Sequence, residues 1–331
     1  MADMFIKTSI TAPSREPGTL RDYIAIARFD HSTKHIFIVP GAVLAWLLRG
    51  GGHVPSLILN IVCGLVAAVC IASANYVINE FLDRESDRHH PTKSRRSAVR
   101  RDLDPRYIRL EWVLFVTIGL SAALLSSWLM AVTAAIFAMQ GLVYNVPPLR
   151  SKDKPFLDVI SESINNPLRL IIGWAMVDPT TLPPISIILA CWLGGAFLMA
   201  AKRLSEYREI TALHGKNLLM RYRASFAGYT DVSLTVSTFL YAQLASFFLA
   251  VFLIKYRIEY ILTLPLIAVL FSCYLALSME AGSSAQSPER LYREKKLIAI
   301  VVLLVIVFGL TTFINLPWLE VLTSQHFITL N

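Results

Sequence analysis

Long apolar runs constrain this chain more than any other feature. One of them extends from Ile58 to Ile78 without a charged side chain. A helix of about 20 apolar residues spans the hydrocarbon core of a bilayer. In hydrocarbon the backbone must satisfy its own hydrogen bonds, which leaves helices as the natural form for such a run. Several runs of this kind follow one another. Of the 331 residues 55% are hydrophobic and 16% charged, against about 25% charged in an ordinary soluble domain. The reading is an all-α, polytopic membrane protein.

Nine candidate spans are expected, with limits near 35–49, 56–80, 108–129, 130–147, 157–177, 183–204, 231–254, 258–279 and 297–316. The third and fourth touch near Ser126 and Ser127. The expected organisation is an N-terminal segment over 1–34, a membrane domain over 35–316 and a short tail over 317–331. Residues 21–34 suit a short amphipathic interfacial helix. The net charge of +8 is distributed by side rather than spread evenly. With nine spans, 27 of the 31 Lys and Arg fall in the N-terminal segment and the loops after spans two, four, six and eight. That side is expected to be cytoplasmic. The protein would then be integral to the membrane, the inner membrane in a bacterium. The opposite connectors, Gly50-Gly51-Gly52-His53 and Asp178-Pro179-Thr180-Thr181, are short.

The strongest chemical signal lies where the second run ends. Asn79, Asp83 and Asp87 stand at i, i+4 and i+8 and share one helical face. Asn75 begins that polar face at membrane depth, where polar groups are costly and usually functional. The next segment, Arg88-His89-His90-Pro91-Thr92-Lys93-Ser94-Arg95-Arg96, is dense in positive charge. Paired carboxylates can hold Mg²⁺, and Mg²⁺ with Lys and Arg can hold a diphosphate. A merely solvated face is the ordinary fate of a charge run, but it would not begin inside a membrane span.

Three further constellations stand out. Tyr144-Asn145-Val146-Pro147-Pro148-Leu149-Arg150-Ser151-Lys152 closes the fourth span, with Tyr144 and Arg150 or Lys152 placed to face a cavity mouth. Asp158, Glu162, Asn165 and Arg169, with Asn166 beside them, form a polar stripe through span five, which must face protein or a wet cavity. An internal ion pair between Arg169 and Asp158 or Glu162 is the plainer alternative. Lys202, Arg203 and Glu206 end span six. Adjacent His89 and His90 converge poorly on one metal. Cys63, Cys70, Cys191 and Cys273 lie in apolar runs and read as small buried hydrophobes. The chain has no phosphate-binding glycine loop and no serine nucleophile motif.

The pattern Asn79-x-x-x-Asp83-x-x-x-Asp87, at the charged end of the second of nine expected helices, resembles the first signature of the UbiA superfamily of intramembrane prenyltransferases. The resemblance covers nearly the whole chain. It implies nine helices around a central cavity, Mg²⁺ as cofactor, and transfer of a prenyl group from an isoprenyl diphosphate to an aromatic or lipid acceptor. Carried onto this chain, Asp83 and Asp87 would hold the metal and Asn79 would orient a ligand. Arg88, Lys93, Arg96, Lys152, Lys202 and Arg203 would bind the diphosphate. Asn75, Tyr144, Asp158, Glu162, Asn165, Asn166, Arg169 and Glu206 would line the substrate cavity. The expected partners are the diphosphate donor and the bilayer, with neither nucleic acid nor an obligate protein partner.

The chain departs from the family after span six, where Ala201-Lys202-Arg203-Leu204-Ser205-Glu206 replaces a second aspartate-rich motif. Asp158 and Glu162 could then supply the metal contacts missing there. The stretch Asp87-Arg88-His89-His90-Pro91-Thr92-Lys93 resembles a subgroup that includes polyprenyl-phosphate phosphoribosyltransferases. Phosphoribosyl transfer to a polyprenyl phosphate is therefore the alternative reaction. A secondary transporter is a second alternative, since midplane polar residues also occur there.

Overall fold

The computed structural model describes residues 16–49, 56–90, 92–280, 282–286, 291 and 294–323. Short helix α1 (Leu20–Ile26) leads into a 3₁₀ stretch, Phe29–Phe37, and then α2 (Ile38–Arg49). Helix α3 (Leu57–Asp87) carries the long apolar run and its acidic end. A one-turn α4 (Ser97–Arg100) precedes α5 (Pro105–Ser126) and α6 (Trp128–Asn145). Helices α7 (Leu157–Ser163) and α8 (Asn165–Val177) follow, then α9 (Ile185–His214) and short α10 (Lys216–Tyr222). The chain ends in α11 (Asp231–Tyr256), α12 (Leu264–Met279), α13 (Lys295–Phe313) and α14 (Pro317–Thr323). Among the described residues the one sheet is a two-residue parallel pairing of Glu16–Pro17 with Arg101–Asp102.

Among the described residues seven helices are long and apolar enough to cross a membrane. The expected nine are therefore not all matched. The first span is only the 12-residue α2. The fifth is divided at Ile164 into α7 and α8, of 7 and 13 residues. Asp158 settles in the charged end of the bundle while the apolar residues of α8 enter it. The division between spans three and four falls at Ser127, whose hydroxyl caps α6 by accepting from the Met130 amide at 3.1 Å. The expected interfacial helix over 21–34 is α1 with the start of the 3₁₀ stretch. Residues 1–15, the Gly50-Gly51-Gly52-His53 connector, Pro91, Arg290, Arg293 and the tail beyond 323 lie outside the described residues.

Side chains sort by what solvates them. Leu303, Val305 and Phe313 on α13 are exposed to the surroundings, as lipid-facing residues should be. Between helices the residues are small: Ala67, Ala68 and Ala72 of α3 pack with Ala123 of α5, Ala134 and Phe137 of α6 and Ile172 of α8. Lipid tails are as apolar as Leu, so close backbone approach rather than water exclusion holds such helices together. Polar pins supplement it. The Ser126 hydroxyl donates to the Asn60 side-chain carbonyl at 2.9 Å, and Arg49 reaches Asp178 at 2.8 Å across the opposite end. That Asp178 carboxylate also caps the connector through the amides of Thr180 and Thr181.

A close backbone-to-backbone contact joins α2 to α8. A Cβ added at Gly41 would lie 2.0 Å from the Leu170 carbonyl oxygen, and one at Gly173 would lie 1.9 Å from that of Ile38. Backbone cannot yield as a side chain tip does. Gly173→Ala should therefore force the pair apart and cost about 1–3 kcal/mol. Thermal unfolding in detergent checks this, and an unchanged melting temperature would contradict the contact.

Candidate active site

One end of the bundle gathers charge from five separate segments. Helix α3 delivers Asn79, Asp83 and Asp87 on its last turns. Oδ1 of Asp83 accepts from Lys152 Nζ at 2.5 Å and from Arg150 Nη2 at 3.1 Å. Lys152 also donates to the side-chain carbonyls of Asn145, at 2.9 Å, and Asn79, at 3.4 Å. Burial pulls the Lys152 ammonium below its ordinary pKa, although Asp83 opposes the shift. Asp87 pairs through Oδ2 with Arg96 at 2.8 Å and lies 3.9 Å from Lys93.

A strap between α9 and α11 closes over this layer. Asp158, at the start of α7, is wholly buried. Its Oδ1 accepts from the Tyr229 hydroxyl at 2.6 Å. Its Oδ2 accepts from Ser225 at 3.1 Å, Arg203 at 3.3 Å and Arg223 at 3.4 Å. Burial opposes the Arg223 charge, but Tyr144, Asp158 and Glu206 outweigh it and hold the guanidinium protonated. Glu206 of α9 pairs with Arg203 at 3.1 Å, accepts from the Tyr222 hydroxyl at 3.2 Å and lies 3.5 Å from His90. Burial lowers the His90 pKa, favouring the neutral imidazole, which packs on the Tyr222 ring at 4.7 Å.

The expected residues thus separate into groups. Asn79, Asp83, Asp87, Lys93, Arg96, Lys152, Asp158, Arg203 and Glu206 converge in this layer. Tyr144 is buried beside it, its ring centre 6.0 Å from the Lys152 ammonium. Arg88 does not join: it is exposed and pairs with Glu85 at 3.0 Å. Lys202 is partly buried one place before Arg203 on α9, about 100° around the helix from it. Asn75, Glu162, Asn165, Asn166 and Arg169 lie deeper. The Asn75 amide donates to the Phe137 carbonyl at 3.0 Å, and Asn166 packs against Gly195, where a Cβ would come within 2.1 Å of its Nδ2.

Sequence reasoning passed over Arg223, Tyr222, Ser225 and Tyr229, which share one short segment far along the chain from the acidic motif. The polar, aromatic composition of 222–229 between two apolar runs was the available signal. It also offered Asp158 as a metal contact. In the structure four side-chain donors engage its two oxygens, three of them on Oδ2.

Oxygen donors suited to Mg²⁺ remain on α3. Each of Asp83 and Asp87 commits one oxygen to a cation at close range. No hydrogen bond among the described residues reaches Asp83 Oδ2 or Asp87 Oδ1. Mg²⁺ commonly takes one or two carboxylates, with water and substrate phosphate completing the octahedron. Asp83 and Asp87 fit that pattern. Among the described residues no three His, Cys, Asp or Glu side chains come together as a cage.

Two outcomes follow from this geometry. Asp158→Asn removes the counter-charge of Arg203 and Arg223, and breaking such a buried network costs about 3–5 kcal/mol. Hydrogen exchange should then speed up across 216–229; unchanged protection would refute the anchoring role. Lys93 is held by burial at a pKa of about 8. Rising pH removes its charge, so affinity for inorganic diphosphate should fall severalfold between pH 7 and 9. Lys93→Arg should flatten that dependence, and a flat wild-type profile would exclude Lys93 from the anion site.

Residues 37–293 match the UbiA prenyltransferase family. A protoheme IX farnesyltransferase from Geobacillus thermodenitrificans is 30% identical over 168 residues, 47% of this chain and 53% of the relative. A decaprenyl-phosphate phosphoribosyltransferase from Mycolicibacterium smegmatis is 29% identical over 163 residues, 47% of this chain and 49% of the relative. The chain spans about half the length of the curated relatives it matches. A UbiA homolog from Archaeoglobus fulgidus, solved bound to GPP and Mg²⁺, superimposes with a TM-score of 0.64 at 21% identity. That superposition covers 88% of this chain and 99% of the other, and it is a likeness of fold. With the family matched over most of its length, this integral membrane protein belongs to the UbiA prenyltransferase family.

Proposed function

We propose that this chain is an Mg²⁺-dependent transferase that moves a prenyl group from an isoprenyl diphosphate to an aromatic or lipid acceptor. The observation that carries the reading is the charged layer at one end of an apolar bundle. There Asp83, Asp87, Asp158 and Glu206 meet Lys93, Arg96, Arg150, Lys152, Arg203 and Arg223. The excess of Lys and Arg at this end supports a cytoplasmic orientation for it.

Asp83 and Asp87 would hold Mg²⁺, which when bound neutralises charge on the diphosphate. Lys93, Arg96, Lys152 and Arg223 are placed to donate to phosphate oxygens as the bond between the prenyl C1 and the diphosphate oxygen breaks. Charge on the leaving group grows in the transition state, so these groups act mainly on rate. The apolar interior formed by α3, α6 and α8 excludes water from the allylic cation until the acceptor attacks.

One observation favours a second reading. Six cations face five carboxylates in this layer, the fifth being Asp153, which pairs with Arg150 at 2.7 Å. A donor with a further phosphate, phosphoribosyl diphosphate, would use that surplus, and the relative from Mycolicibacterium smegmatis is named for such a transfer. Family membership favours either transferase over a transporter.

Purified protein with Mg²⁺ and a lipid extract should release diphosphate from geranyl, farnesyl or longer prenyl diphosphates. Release from phosphoribosyl diphosphate alone would select the second reading. Asp83→Ala and Asp87→Ala should each lower turnover by roughly 100-fold or more while eluting as folded protein. Near-normal turnover in either variant would remove α3 as the donor site.

A further inference from the structure

The arginines around the acidic end of α3 fall into two populations. Some are paired: Arg96 with Asp87 at 2.8 Å, Arg28 with Glu80 at 3.8 Å, and Arg101 with Glu16 and Asp22. Arg21, Arg95, Arg100, Arg106 and Arg109 are exposed and form no ion pair among the described residues. The positive-inside rule accounts for how many basic residues stand at this end. It does not account for their sorting, because paired and bare charges serve it equally.

The bare charges border exposed apolar surface. Arg106 and Arg109 stand three apart at the start of α5 and so are neighbours on one face. That face continues through Leu110 and Val113, which are 63% and 50% exposed. The Arg109 Nε donates to the Pro105 carbonyl at 3.2 Å, which leaves its two terminal nitrogens open among the described residues. Asp104 is committed to capping α5, where its carboxylate accepts from the Arg106 amide at 2.7 Å. Helix α1 is fastened beside this edge. Its Ile26 and Ala27 are wholly buried in a cluster with Val77, Ala98, Leu103 and Ile108. The Tyr23 hydroxyl accepts from the Asp104 amide at 2.9 Å, and its ring meets that of Tyr107 edge-on at 5.7 Å. The other side of α1 presents Arg21 with Leu20 and Ile24, which are 77% and 54% exposed. Bare guanidinium groups above a lipid-facing apolar strip match the two ends of one molecule, an anionic headgroup and its acyl chain.

We propose that α1 and the first turns of α5 form a binding surface for an anionic phospholipid of the adjoining leaflet. The lipid phosphate accepts from Arg106 and Arg109, Arg21 adds attraction from α1, and an acyl chain runs along Leu110 and Val113. Arg95 and Arg100 extend the positive field along the loop between α3 and α5. A lipid held in this way bridges α1 to α5. It braces from outside the segment packed on Val77, a residue of the same helix that carries Asp83 and Asp87.

The test uses the full-length, delipidated protein in a neutral detergent, with bound lipid counted by native mass spectrometry. Dioleoyl phosphatidylglycerol should bind about tenfold more tightly than dioleoyl phosphatidylcholine at low salt, and the preference should shrink in about 0.5 M NaCl. Hydrogen exchange locates the lipid: protection across 20–28 should rise with phosphatidylglycerol and not with phosphatidylcholine. The double variant Arg106→Gln with Arg109→Gln should lose about fivefold in affinity per arginine, together with the response across 20–28. The control, Lys295→Gln with Lys296→Gln at the exposed start of α13, should keep both. Equal binding of the two lipids by wild type, an unchanged response in the arginine variant, or an equal loss in the lysine variant overturns the site. Without lipid the arginine variant should melt as wild type does; a clear fall would make the pair structural and overturn the proposal.

Discussion

The wholly buried carboxylate of Asp158 is the interaction on which the functional end of this molecule depends. It joins α7, α9 and the strap before α11 through one side chain. Charge survives out of water only when it is compensated at close range. Each carboxylate of the layer meets that demand by reaching a different segment. Asp83 takes the loop after α6, Asp87 the loop after α3, and Glu206 the His90 turn and the strap. The loops at this end are consequently shaped by electrostatics as well as by apolar packing, as of Leu219 and Phe226 in the strap.

Within the membrane the rule reverses. Ala and Gly let α3, α5, α6 and α8 approach closely, while bulky aliphatic residues of α13 face outward. Polar atoms at that depth divide into two kinds. Those that join helices have partners, as Asn60 does with Ser126. Those around Arg169 do not.

Much of this was legible in the sequence, and the reasons differ by feature. The apolar runs dictated helices because hydrocarbon permits little else. The acidic face of α3 was readable because i, i+4 spacing is local geometry. Charge asymmetry identified the end at which Asp83, Lys93, Lys152 and Arg203 meet. The strap was not legible, since its pairing with Asp158 spans 65 to 71 positions of sequence. Nor was the break at Ile164, because one stripe of Asp158, Glu162 and Arg169 fits a continuous helix as well as a divided one. Arg88 was misplaced for a related reason: neighbours in a basic run leave the helix in different directions, and it found Glu85 first.

The helices form two packed sets that both contribute to the charged layer. Helices α3, α5, α6 and α8 share one core, while α9, α11, α12 and α13 share another. The layer draws Asp83, Asp87, Lys93, Arg96 and Lys152 from the first set and its loops, and Arg203, Glu206 and Arg223 from the second. A multivalent anion seated among them would be a rivet through both halves. Its departure would return their alignment to the chain's own ion pairs, so the register between the halves becomes a property that the bound anion, as much as the polypeptide, determines.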